Sequence, residues 1–274
     1  MLIIAVRSPL WGHQRGSWLH GASREEEGWN GMRDLAQAAR CLEDVLGLDR
    51  HPVAVKFVRK DEGVSGSFEA PAGRRYCQVL MEASQGKKVL LTPETIACPA
   101  SAAALGFKPL PQKLETGEML AAYGIFATKE AGSKTIHSMP RLPAGAYQAV
   151  AACPLGEAPY EPDVVVLEGR PEHLMWVALA SVRQVGGRLD FSTAILQATC
   201  VDGTILPFLS GKLNASLGCY GCREATNMGE AECVLGFPGR DLERIASELE
   251  ALASKAIPRV RGKGVYNSLI GRAS

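Results

Sequence analysis

The segment CQVLMEASQGK at residues 77–87 has a diverged copy, CVDGTILPFLSGK, at residues 200–212. Each copy begins with a cysteine, ends in Gly-Lys, and is followed by a short run and then another cysteine, Cys98 or Cys219. Gly-Glu pairs at 117–118 and 229–230, and glycines at 124 and 236, extend the match. Because a repeat defines the architecture, it is interpreted before any single motif. The sequence predicts two similar halves, about 50–143 and 144–256, related by a pseudo-two-fold axis.

Hydrophobic periodicity around this repeat predicts strands that alternate with helices. The expected strands are 53–58, 88–92, 147–153, 163–167, 213–217 and 232–237, with a further strand starting at Gly124. The expected helices are 77–85, 99–105, 129–138, 171–185, 193–209 and 240–256, with an earlier one starting near Met32. Strands and helices mixed in two similar halves indicate an α/β or α+β fold in which the halves pack around a mixed sheet.

The first 31 residues do not share this patterning. They hold three of the four tryptophans and show no period of 2 or 3.6, whereas helical periodicity begins at Met32. The sequence predicts a poorly ordered extension at 1–31 and one globular domain at 32–266. Met32 is a candidate translation start, and a genuine but loosely ordered tail is the alternative. On either interpretation, deleting residues 1–31 is expected to leave the melting temperature nearly unchanged.

Composition narrows the classes of partner and compartment. The formal net charge of +1 gives no electrostatic indication of nucleic acid or an anionic membrane as a partner. No apolar run is long enough to span a bilayer, and the N-terminus lacks a secretory signal. We therefore expect a cytoplasmic protein with a small-molecule or redox partner, and the sequence leaves the oligomeric state open. In a reducing compartment, eight cysteines in 274 residues indicate thiols that bind metal or react rather than cross-link.

The motif Cys219-Tyr-Gly-Cys222 is the sharpest local signal. Two thiolates at this spacing can face one metal ion, but the same spacing is also typical of a redox pair or of two cysteines packed in a core. Cys98 occupies the repeat position of Cys219 and directly precedes a predicted helix, where the helix N-terminus favours the thiolate form. Cys77 and Cys200 form the other matched pair.

Four thiolates suffice for an iron–sulfur cluster or a structural zinc ion. The first hypothesis is therefore a metal- or iron–sulfur-binding protein with Cys77, Cys98, Cys219 and Cys222 as ligands and Cys200 as an alternate.

A second hypothesis is a binder or enzyme that uses a metal-free thiolate at Cys219 or Cys222. Lys212, Asn214 and Arg223 would then orient an anionic ligand. A third hypothesis is an interaction protein whose cysteines belong to the core. The sequence does not decide whether the protein is an enzyme. Three further cysteines are interpreted as structural because they lie in apolar helix or strand patterns: Cys41, Cys153 and Cys233.

Several longer stretches carry a family resemblance. They are KKVLLTPETIACPASAAALGFKPLP at 87–111, EHLMW at 172–176, FSTAILQATC at 191–200 and SLGCYGCR at 216–223. Together they resemble an uncharacterised prokaryotic family catalogued as domain of unknown function 169, also described as an archaeal cysteine-rich protein. The resemblance runs from about Leu35 to Tyr266. It implies an anaerobe-associated protein and makes the cysteines the candidate site, but it implies no particular reaction.

Overall fold

The structure, a computed structural model, describes residues 31–271, so the predicted N-terminal extension lies outside the described residues apart from Gly31. The strands are β1 Val53–Arg59, β2 Val89–Leu91, β3 Tyr147–Pro154, β4 Val164–Gly169, β5 Asn214–Ser216 and β6 Cys233–Pro238. The helices are α1 Gly31–Leu46, α2 Tyr76–Ser84, α3 Pro99–Ala104, α4 Gln112–Glu115, α5 Glu118–Ala122, α6 Lys129–His137, α7 Pro171–Val182, α8 Leu206–Ser210, α9 Tyr220–Ala225, α10 Leu242–Ala253, α11 Ala256–Gly262 and α12 Gly264–Leu269. A π-helix spans Ala198–Ile205, and 3₁₀ turns span Leu155–Glu157 and Gly239–Asp241.

The six strands form one sheet in the order β2-β3-β1-β4-β6-β5. All five pairings between these strands are antiparallel. The expected mixed sheet is therefore corrected to an antiparallel one, and the α+β alternative describes the fold. The physical reason is the pairing itself: hydrogen bonds between antiparallel strands run perpendicular to the strands, and parallel pairing is slightly less stable per residue.

Helices cover both faces of the sheet, which makes a three-layer core. On one face α1, α7 and α10 pack against the side chains of Ala54, Val165 and Leu235. On the other face α2, α3 and the π-helix pack against Val55, Val166 and their neighbours. Because successive strand residues point to opposite faces, strands buried on both sides are almost continuously apolar. None of the helices in residues 31–271 is long and apolar enough to cross a membrane.

The strand order places β2-β3-β1 beside β4-β6-β5, with the edge strands β2 and β5 at opposite ends. Strand β3, which the repeat assigned to the second half, lies between β2 and β1. Helices α4, α5 and α7 have no helix at the matching point of the other half. A two-fold relation between complete halves stays a prediction.

Two predicted elements differ from the structure. Gly124 follows α5 with a φ of +68° and starts no strand, whereas its supposed equivalent Gly236 lies inside β6. Ile125 and Phe126 instead pack on a small cluster formed by α4–α6. The helix expected at 193–209 begins only at Ala198, where it is a π-helix that α8 continues. The match between glycines 124 and 236 is therefore wrong as a structural equivalence.

Candidate functional site: a buried cysteine cluster

Five of the eight cysteines approach one another on the face of the sheet that α2, α3 and the π-helix cover. Negative charge on Cys98 or Cys219 raises the pKa of Cys77, and negative charge on Cys219 or Cys77 raises the pKa of Cys222. The pKa of Cys200 is raised by negative charge on Cys77, Cys98 or Cys219. These residues come from four segments that are distant in sequence. The loops at Cys98 and Cys219, which the repeat predicts to meet, thus both face Cys77 and Cys200. We call Cys77, Cys98, Cys200, Cys219 and Cys222 the cysteine cluster.

Contacts between α2 and α9 bring two of these segments together. The Arg75 guanidinium, at the N-terminus of α2, lies 3.0 Å from the Glu224 carboxylate and donates to the Gly221 carbonyl at 3.4 Å. One turn further along α2, the Gln78 amide donates to the Ala225 carbonyl at 3.1 Å. Cys77, the second residue of α2, is therefore held beside the N-terminus of α9.

Cys219 and Cys222 interact as a pair. Cys219 is the N-cap of α9, and its sulfur accepts from the Cys222 amide at 3.4 Å, while the Cys219 amide donates to the Cys222 sulfur at 3.0 Å. The Cys222 thiol, with its single proton, can donate to the Cys219 carbonyl at 3.2 Å or to the Cys219 thiolate. Donation to the thiolate lowers the pKa of Cys219, and the amides of Ala198, Cys222 and Gly221 add to this against the effect of burial. The same interaction raises the pKa of Cys222.

Burial favours the neutral thiol at two further members of the cluster, Cys77 and Cys200. Burial raises the pKa of Cys77 to about 12, and the charges of Cys219 and Cys98 add to the rise. Burial likewise raises the pKa of Cys200, which lies on the π-helix beside Ser101. The sulfur of Cys98 caps α3 by accepting from the Ser101 amide at 3.5 Å. The pKa of Cys219 is therefore lowered, whereas the pKa values of Cys77 and Cys200 are raised.

No three His, Cys, Asp or Glu side chains among the described residues are grouped so that they could hold a metal ion. The sulfurs of Cys219 and Cys222 bond to each other's backbone instead of converging with Cys77 and Cys98. The predicted ligands are thus neighbours without forming a completed coordination site.

The remaining three cysteines pack on the opposite face of the sheet, apart from the cluster: Cys41, Cys153 and Cys233.

The three side chains predicted to orient an anionic ligand do not converge on the cysteines. Lys212 is exposed and lies at the opposite end of β5 from Cys219. The buried Asn214 amide bonds to the backbone of Ser192 and Asp202 at 2.8–2.9 Å. The Arg223 guanidinium donates to three backbone carbonyls, those of Leu217, Gly229 and Glu232, at 2.6–2.8 Å. Asn214 and Arg223 therefore have structural partners, which are backbone groups 12 and 22 residues away for Asn214 and 6 to 9 residues away for Arg223.

Sequence reasoning missed a buried carboxyl group beside the cluster. Glu168, near the end of β4, has a side chain only 4% exposed, and neither carboxylate oxygen has a hydrogen-bond partner among the described residues. The nearest cation is the Arg50 guanidinium at 3.9 Å, which makes a closer contact of 2.7 Å with Glu232. Burial raises the pKa of Glu168 to about 7; Arg50 opposes the rise, and Glu232 and Cys219 add to it. Residues 164, 166 and 168 share one face of the strand, so a glutamate in line with two core valines was the available signal.

A second buried acid lies near Cys219. The carboxylate of Asp202, on the π-helix, accepts from the Thr193 hydroxyl at 2.7 Å, and that hydroxyl lies 2.8 Å from the Ser216 hydroxyl. Burial raises the pKa of Asp202 to about 6, opposed by the two hydroxyl groups, and the charge of Cys219 raises it further. Negative charge on Cys219 thus raises the pKa of both carboxyl groups, Glu168 and Asp202. Strongly perturbed pKa values in one place are typical of functional sites.

Comparison with known proteins agrees with the resemblance seen in the sequence. No solved structure matches the chain. The chain is 28% identical over 222 residues to the "Uncharacterized protein MJ0308" of Methanocaldococcus jannaschii, an alignment that covers 80% of this chain and 95% of that protein. The model of the family described as "Uncharacterised ArCR", domain of unknown function 169, matches residues 41–248. The protein with this cysteine cluster therefore belongs to the DUF169 family.

Proposed function

We propose that this protein binds a metal ion or an iron–sulfur cluster through its cysteine cluster. The observation that supports the proposal is that five cysteines from four separate segments lie in one region of the core. Two cysteines suffice for a redox pair, and buried cysteines that act as small hydrophobes have no reason to gather in one place. A set of thiols of this size is typical of zinc and iron–sulfur sites. Cys77, Cys98, Cys219 and Cys222 are the proposed ligands, and Cys200 is the alternate.

The chemistry of the donors supports this proposal. Metal ligands must be deprotonated, and the N–H groups around Cys219 stabilise its thiolate. The cluster would need side-chain rotation to surround a metal, since Cys222 now faces the Cys219 backbone. Cysteine has a single χ1 rotor, and both alternative rotamers are staggered minima, so this rearrangement is small. We further propose a cytoplasmic setting, which keeps the thiols reduced, and a redox or small-molecule partner.

The test is elemental analysis and a visible absorption spectrum of protein purified without oxygen. We expect stoichiometric zinc or iron, with a brown colour if iron and sulfide are both present. The Cys98→Ser and Cys219→Ser variants should lose most of the bound metal. Cys41→Ser is the matched control, because Cys41 is a buried cysteine on the other face and a serine hydroxyl can keep its bond to the Ala246 carbonyl. Metal-free wild-type protein that remains fully folded would contradict the proposal.

A specific observation also favours a metal-free thiolate at Cys219 as the second candidate. Its thiolate accepts from the Cys222 thiol and from backbone N–H groups of two elements, and these donors lower its pKa. Such a site can attack a disulfide or another electrophile, with Cys222 positioned to resolve a mixed disulfide. Intact-mass analysis after brief treatment with glutathione disulfide tests it. One adduct or an internal Cys219–Cys222 disulfide supports this candidate, and unmodified protein counts against it.

A further inference from the structure

We propose that the C-terminal helix pair, α11 and α12, is a docking surface for an anionic lipid membrane, which the protein binds peripherally. This inference goes beyond the proposed function and does not depend on it, because neither helix contains a cysteine. Two properties of the same surface carry it: an exposed apolar face on α12, and a group of cations that lines the groove beside that face.

The apolar residues of α12 and its C-cap lie on one side of the helix. At about 100° per residue they fall within an arc of about 140°, and the polar residues 267 and 268 lie outside this arc. These apolar residues are 80%, 70%, 58% and 44% exposed: Leu269, Val265, Tyr266 and Ile270. No residue of α12 is buried. Exposed apolar residues scattered singly are ordinary, but a contiguous apolar face is typical of an interaction surface.

Helix α11 fixes this face to the domain. Ile257 of α11 is buried in the core that α1, α7 and α10 share. The Arg261 guanidinium donates to the carbonyls of Val45 and Leu46 at 3.2 and 2.9 Å, and it lies 2.9 Å from the carboxylate of Glu172. The position of α11 on α1 and α7 is therefore defined, and α12 follows it after a single residue.

The charge of this segment differs from that of the whole chain. After Glu250 the sequence contains no acidic residue but five basic ones: Lys255, Arg259, Arg261, Lys263 and Arg272. Arg259 and Lys263 line an open groove of about 770 Å³ together with Val260, Val265 and Tyr266. Neither cation forms an ion pair within the described residues. The net charge of +1 thus averages over a surface that is basic and apolar at the same place.

An anionic bilayer surface matches this combination better than a folded protein does. Apolar side chains on a short amphipathic helix insert at the level of the lipid headgroups, where tyrosine is also enriched. Each Lys or Arg close to an anionic bilayer strengthens binding by about 5-fold. A standard protein interface buries about 800 Å² of each partner, which is more than one exposed helix of six residues can offer.

The test is co-sedimentation of the full-length protein with vesicles of phosphatidylcholine, alone or mixed with phosphatidylglycerol. We expect binding to the mixed vesicles only, weakened at high salt because salt screens the cations. Arg259→Gln should weaken binding by about 5-fold and Leu269→Ser by about 10-fold. The matched controls are Arg188→Gln and Val185→Ser, because both residues are exposed and follow the end of α7 that is distant from Glu172.

All four substitutions change exposed side chains, so each variant should keep the melting temperature and the metal content of wild type. Equal binding to both kinds of vesicle, or wild-type affinity in Arg259→Gln and Leu269→Ser, would overturn the membrane surface. A dimer that Leu269→Ser dissociates, without any binding to vesicles, would assign the face to a second copy of the chain and overturn it too. Loss of metal binding by wild type would affect only the proposed function.

Discussion

The π-helix that carries Cys200 rests directly on the backbone of β6, and replacing Gly236 by alanine tests this contact. A Cβ atom at Gly236 would overlap the carbonyl of Gly203, with its carbonyl carbon only 2.7 Å away. Ordinary carbon–carbon contacts are about 3.5 to 4 Å, so the two backbones would have to separate by roughly 1 Å. Gly236 is also paired on both sides, with Val166 and Asn214. The strand therefore has little freedom to move away.

Overpacking of this kind costs about 1–3 kcal/mol and occasionally more, and two backbone segments yield less easily than side chains. We expect Gly236→Ala to lose about 3 kcal/mol of unfolding free energy, measured by urea denaturation, and roughly 10 °C in melting temperature. Gly262→Ala is the control, because nothing lies within 4 Å of its Cβ position and its φ is not positive. It should change stability by less than about 0.5 kcal/mol. A melting temperature of Gly236→Ala equal to that of wild type would refute the close contact between the π-helix and β6.

Three further predictions concern the site. In metal-free protein, Cys222→Ala removes the largest cause of the lowered pKa of Cys219, so the pH at which iodoacetamide alkylation of Cys219 is half-maximal should rise toward about 8.5; an unchanged pH profile would contradict the pairing. Because folding raises the pKa of Glu168 from 4.5 to about 7, the folded protein binds the proton more tightly, and stability should fall by up to about 3 kcal/mol as pH rises between these values. Denaturation across this pH range should show a shallower decline in Glu168→Gln, and identical slopes would count against the burial of Glu168. Arg223→Met should cost about 2 kcal/mol in urea denaturation because three carbonyls lose their donor, whereas a neutral effect would mean that water replaces it.

The sequence located the secondary structure well where local pattern dominates. All six strands of the sheet lie within two residues of their predicted positions, and all except β5, which is Asn-Ala-Ser, are short runs rich in apolar residues. The strand predicted at Gly124 is wrong. Ile125 and Phe126, which suggested it, pack on helices α4–α6 instead of pairing in the sheet. Residues 193–197 were also predicted to be helical, although Ile195 and Gln197 have positive φ angles that end any helix there.

The candidate site was likewise predicted from the sequence only in part. Cysteine spacing within the repeat selected five cysteines that the structure places in one region of the core, and their role as ligands stays a prediction. The structural roles of Asn214 and Arg223 were not predicted, since their partners are backbone groups whose direction depends on how the loops turn. Glu168 stands in a plain strand pattern, and only the packing of the π-helix and Arg50 around it leaves its carboxylate without a hydrogen bond.

By itself the sequence determined the six strands and the family, because periodicity and motif spacing are local properties of the chain. Only the tertiary structure decided that the sheet is antiparallel, that Cys222 lowers the pKa of Cys219, and that Glu168 is buried in the same core as the cysteines. Strand pairing, desolvation and hydrogen bonds between distant segments depend on which groups meet in space. Those contacts depend on the packing of the whole domain rather than on any one stretch of residues.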